Sequence, residues 1–177
     1  TGIAAHRGKL FIFKRNRIYV ITTGGNPVDI LQWKLDDYTR NYGCIASHTI
    51  QEVLDDLVFL SHEGILSINS VQEFGDFKTL VLSRKLRELT QLNYNIDSYV
   101  SVVDTTKSIY LLAAPNTSAT SVNNNLWIMD YKKIDPEVVR AYLFDSVRWT
   151  KFKSEIINPS AVTLAFVDGK KTIFLGG

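Results

Sequence analysis

The chain has 177 residues, 45% hydrophobic and 21% charged, which marks a globular protein and excludes a disordered or collagen-like one. With 20 Lys and Arg against 18 Asp and Glu the net charge is +2, too near neutral for a general nucleic-acid binder, which needs a concentrated basic face. No apolar run reaches the ~18 residues of a membrane span, and the first residues show no signal-peptide pattern.

In chain order, Leu10-Phe-Ile-Phe13 and Ile18-Tyr-Val-Ile21 read as strands joined by the turn Lys14-Arg-Asn-Arg17. Gly24-Gly25 and Pro27 break the second strand. Ile30 to Leu35 predicts a third, with Trp33 as a core candidate, and Asp36-Asp37 opens a loop. Ile45 to Val53 predicts a strand, and Asp55-Asp56 a tight turn. The clearest hairpin follows, Leu57-Val-Phe-Leu60 and Ile65-Leu-Ser-Ile68 around Ser61-His-Glu-Gly64, whose glycine takes positive φ without steric cost.

Leucines 82, 86, 89 and 92 give a helical spacing, so a short amphipathic helix is expected near 80–92. Tyr99 to Val103 and Ile109 to Ala114 form another strand pair, followed by a polar loop over 115–125. Leu126 to Tyr131 returns as a strand. Asp135-Pro136 suits a helical turn over 134–142. Ser146 to Phe152, Ala161 to Val167 and Ile173 to Leu175 complete the strands, the last two around a turn at Asp168-Gly-Lys-Lys171.

The leading strands of four hairpins start near Leu10, Leu57, Tyr99 and Ala161, which puts them 47, 42 and 62 residues apart. A period of roughly 40–50 residues with about four strands each is that of β-propeller blades. The expected fold is therefore all-β, one propeller-like unit over 1–177 with about three blades plus partial ones, and the chain is expected to be a fragment of a longer protein. The alternative is a β-sandwich of ~9–12 strands.

Chemical signals are sparse. Ser61-His62-Glu63 are neighbours in a turn, where side chains point apart, so the turn reading outweighs a nucleophilic triad. His6, His48 and His62 have no ligand spacing. Asp36-Asp37 and Asp55-Asp56 do not match a calcium loop, and Gly24-Gly25 lacks the lysine of a phosphate loop. Cys44 is the one cysteine, so no intramolecular disulfide forms, which fits a reducing cytoplasm. Asn116-Thr117-Ser118 matches a glycosylation sequon with nothing to suggest a secretory route. Arg7, Lys9, Lys14, Arg15 and Arg17 cluster; a charged hairpin tip that discourages strand addition explains them best. No catalytic residue, cofactor or metal is expected.

Tyr42-Gly-Cys-Ile-Ala-Ser-His-Thr-Ile50, with the Leu57 to Ile68 hairpin, resembles an element of the tail nozzle (tail tubular) and DNA-stabilising tail proteins of short-tailed bacteriophages. Ala4 to Val20, AAHRGKLFIFKRNRIYV, resembles a blade of the same proteins, so the likeness covers about residues 3 to 70. It implies a structural virion protein, made in the bacterial cytoplasm, whose propeller helps build a ring around the DNA ejection channel. The implied partners are further copies of itself, other tail or neck proteins and, transiently, DNA. Predicted exposure assigns the contacts to Lys14, Arg15, Arg17, Phe74, Phe77, Asn116, Asn123 and Asn124. The alternative function is a receptor- or glycan-binding propeller, disfavoured because Trp33, Trp127 and Trp149 fall in predicted strands. A propeller hydrolase is a third class, disfavoured for want of convergent carboxylates or histidines.

Overall fold

The computed structural model describes residues 2–26, 28–68, 82–83, 86, 96–115, 123–132, 147–153 and 159–176. The described chain is all-β and folds as consecutive antiparallel meanders, each made of strands in sequence order. The first sheet is β1 (Gly2–His6), β2 (Lys9–Phe13), β3 (Ile18–Thr22) and β4 (Lys34–Thr39). The second is β5 (Gln51–Val53), β6 (Asp56–Ser61) and β7 (Gly64–Ser67). The third is β8 (Val100–Asp104), β9 (Ile109–Ala114), β10 (Asn125–Asp130) and β11 (Arg148–Lys153). The fourth holds β12 (Ala161–Val167) and β13 (Lys170–Gly176).

The second sheet is the middle layer of the core. Leu57, Phe59, Leu66 and Ile68 pack with Phe11, Phe13, Ile18 and Val20 of the first sheet. Val58, Leu60 and Ile65 pack with Tyr110, Leu112, Trp127 and Met129 of the third. Side chains alternate across a strand, so a sheet covered on both faces needs apolar residues at every position. That is why Leu57 to Leu60 carries no polar residue, and why β6 and β7 are buried throughout. Leu82 and Ser83 close the outer edge of β7: the Leu82 N–H donates to Ile65 O (2.8 Å) and the Ile65 N–H to Ser83 Oγ (3.0 Å).

Three of the turns leading from the first to the second strand of a sheet are two-residue turns with both residues at positive φ: Arg7-Gly8 (48°, 72°), Leu54-Asp55 (51°, 58°) and Asp168-Gly169 (49°, 73°). This is the hairpin turn whose twist matches the strands. The strands that open the sheets lie side by side, β5 against β8 and β8 against β12, while the 3-10 turn Ser47–Thr49 before β5 touches both β1 and β8.

Several expectations are corrected. The leading strands at Leu10 and Leu57 are the second strands of their sheets. The sheets open at Gly2, Gln51, Val100 and Ala161, so the intervals are 49, 49 and 61 residues. Ile30 to Leu35 is not one strand. Asp29 accepts the Leu31 N–H (3.1 Å) and the Gln32 side-chain amide (2.8 Å), which holds Ile30–Gln32 in a 3-10 turn. Strand β4 then starts at Lys34 and carries Asp36 and Asp37, expected in a loop, on the outer edge of its sheet, where exposed charge opposes strand addition. Trp33 is 40% exposed and no core residue, whereas Trp127 is buried and Trp149 half-buried.

Ile45 to Val53 is likewise divided. The buried Thr49 hydroxyl donates to Ala46 O (2.6 Å) and accepts the Leu60 N–H (3.1 Å), bending the chain before β5. Leu82 and Ser83 form a turn. The rest of the helix expected near 80–92, apart from Leu86, and the helical turn expected over 134–142 lie outside the described residues. So does the loop expected over 115–125, apart from Pro115 and residues 123–125.

Candidate functional site

Along the sheet-opening strands runs a cleft of about 550 Å³ lined by Ser47, His48, Gln51, Asp97, Ser101 and Ser160, with apolar Ile50, Val100, Ala161 and Val162 between them. Its walls are cross-linked from sheet to sheet. Gln51 Nε2 donates to Ser101 O (3.1 Å), and Ser101 Oγ donates to His48 O (2.9 Å). Behind the wall, the Tyr110 hydroxyl donates to Thr49 O (3.2 Å), and burial pushes its pKa up. The lining offers hydroxyls, an amide, an imidazole and a carboxylate without concentrating either sign of charge. Such a surface hydrogen-bonds a polar partner without gripping a polyanion.

The third and fourth sheets are tied in the same way. Asp104 is fully buried at the end of β8, where its Oδ1 accepts the N–H groups of Thr106 (3.0 Å) and Lys107 (3.3 Å). Lys171 of β13 reaches across to Thr105 Oγ1 (3.1 Å) and stands 4.0 Å from Asp104.

The basic tip expected from the sequence is present. Lys14, Arg15 and Arg17 are exposed in the β2–β3 turn, and Arg15 Nε donates to His62 Nε2 (3.4 Å) in the neighbouring β6–β7 turn. Gly43-Cys44 packs beneath this tip. The Cys44 N–H donates to Lys14 O (2.9 Å), and a β-carbon on Gly43 would stand 2.2 Å from that same oxygen. The Cys44 thiol is buried, donates to Ala46 O (3.0 Å), and has its pKa pushed up to about 11, chiefly by burial.

Asn123 is not on an exposed loop. It is buried, and its Nδ2 donates to Ser98 O and to Pro159 O (2.8 Å), joining the entrances of β8 and β12. Asn124 is half-buried. Phe74, Phe77 and Asn116 lie outside the described residues.

Among the described residues, one group of side chains comes close enough to share a cation: His6 at the end of β1, Glu52 in β5 and Asp55 in the β5–β6 turn. His48 and His62 stand elsewhere, so the histidines do not converge. Arg7 donates to Asp55 Oδ2 through Nε (3.1 Å) and Nη2 (2.7 Å), and this guanidinium holds the Asp55 carboxyl below the ordinary carboxylate range.

Sequence reasoning missed Gln51, Asp97, Ser101 and Ser160. Gln51 opens the second sheet, Ser101 follows the first residue of the third, and Ser160 precedes the fourth, so the recurrent position would have flagged them once the repeat was phased on the opening strands. No protein-family model matches this chain, and no curated protein matches it.

Proposed function

We propose that this chain is a structural, non-catalytic virion protein of a short-tailed phage, part of a tail or nozzle ring around the DNA ejection channel. Its four sheets act as successive blades of a β-propeller. The observation that carries this reading is the placement of the opening strands: each sheet is a meander in sequence order, β8 stands between β5 and β12, and the first three sheets stack face to face. Propeller blades have this relation, with the first strand of each nearest a common axis. The likeness of residues 3 to 70 to tail nozzle proteins supplies the virion role. The mild polarity of the cleft along the opening strands fits a protein past which DNA slides.

Copies of the chain and other tail or neck proteins are the partners, with Lys14, Arg15 and Arg17 offering an exposed contact point. The test is assembly. Light scattering and electron microscopy of the purified full-length protein, alone and with phage neck components, are expected to reveal ring-shaped oligomers with a central opening. A stable monomer under both conditions overturns the proposal. The glycan-binding alternative has one exposed tryptophan in its favour, Trp33, whereas Trp127 is buried and Trp149 donates its Nε1 hydrogen to Leu82 O (3.1 Å).

A further inference from the structure

We infer that His6, Glu52 and Asp55 form a divalent-cation site of the zinc class that clasps the first sheet to the second. Three observations carry this. One ligand atom from each residue lies within 4.8 Å of the others. The His6 imidazole is buried at the junction of the two sheets, whereas the two carboxylates beside it are exposed. Its Nδ1 faces Glu52 Oε1 at 3.7 Å, too far for a hydrogen bond. Two ligands of one tetrahedral ion, each bound at 2.0–2.2 Å, stand roughly 3.3–3.6 Å apart. The observed gap closes onto an ion with a shift of a few tenths of an ångström.

The surrounding charge agrees. Glu52 and Asp55 face the imidazole, Asp56 follows in the chain, and among the described residues Arg7 is the one cation bonded to Asp55. Arg7 occupies Oδ2, and none of its bonds involves Oδ1. A mixed imidazole and carboxylate donor set favours Zn2+, Mn2+ or Co2+ over Mg2+ and Ca2+, which prefer oxygen alone. The ligands come from the end of β1 and from β5 with its turn, so the ion joins two sheets whose other contacts are mainly apolar.

The experiment uses the full chain, stripped with chelator and titrated with ZnCl2 alone, followed by calorimetry and thermal melting, with Co2+ absorbance as a readout of imidazole ligation. Wild type is expected to bind one ion per chain and to gain at least about 3 °C in Tm at saturation. Glu52→Gln changes an exposed residue, so the fold survives, whereas Asp55→Asn also loses the ion pair with Arg7; each is expected to weaken binding by roughly tenfold or more. His6→Gln is expected to abolish the Co2+ band. Absence of one-to-one binding by wild type overturns the inference, as does equal binding by wild type and Glu52→Gln.

Discussion

Gly43 shows how a single backbone position sets the distance between two sheets. Its neighbours are backbone atoms, Lys14 O at 2.2 Å and Arg15 C at 2.5 Å from where a β-carbon would sit, so no rotamer change relieves the clash. Gly43→Ala is expected to destabilise the fold by about 3 kcal/mol in urea unfolding, as overpacking does at rigid sites. Cys44, next to it, couples stability to pH. Burial raises the folded-state pKa from 9.0 to about 11, so the unfolded chain releases the thiol proton first as pH rises. This contribution is intact below pH 9 and falls away between about pH 9 and 11, by up to roughly 3 kcal/mol. The difference between the stability–pH profiles of wild type and Cys44→Ala isolates it; parallel profiles would show that the thiol plays no part.

At the scale of elements, the three two-residue turns differ in chemistry at the same geometry. Arg7-Gly8 and Asp168-Gly169 place glycine at the second position, but Leu54-Asp55 places two side-chain-bearing residues at positive φ. Leucine in that region costs on the order of 1–2 kcal/mol. It persists because the turn is held from outside: Arg7 of the first sheet bonds both the carboxylate and the backbone oxygen of Asp55 (2.7 and 3.1 Å). Leu54→Asn keeps those bonds and tolerates the conformation, so it is expected to raise stability by about 0.5–1 kcal/mol in urea melts. No gain would mean that the Leu54 side chain contributes packing equal to its strain.

At the scale of the molecule, the stack of sheets makes the second one indispensable. Phe59 is fully buried between the first and second sheets, and Leu60, one residue on, is fully buried between the second and third. Phe59→Ala and Leu60→Ala are each expected to cost about 3–5 kcal/mol, because each empties a different core. Phe166→Ala on the fourth sheet, where the residue is 75% exposed, is expected to change stability by no more than ~0.5 kcal/mol. Chemical denaturation of the three variants gives the ranking, and equal costs would contradict a core centred on the second sheet.

The sequence by itself determined the all-β class and most of the strands and turns, because these follow from local causes. The Leu57 to Ile68 hairpin, the Lys14 to Arg17 turn and the Asp168-Gly169 turn are written in alternation, β-branching and glycine placement within a few residues. Where a side chain competed with that pattern, local reading failed: Asp29 and Thr49 diverted apolar stretches into turns. Only the tertiary structure decided which strand opens each sheet, which faces are covered and what meets across the stack. Trp33 lies exposed although its composition reads as core, and short β5 opens a sheet although it is less apolar than β6. His6 meets Glu52 and Asp55 because two sheets stack face to face, bringing together turns more than 40 residues apart in sequence. No spacing within either segment encodes that meeting, since the distance between them is set by the side chains packed in the layer that separates their sheets.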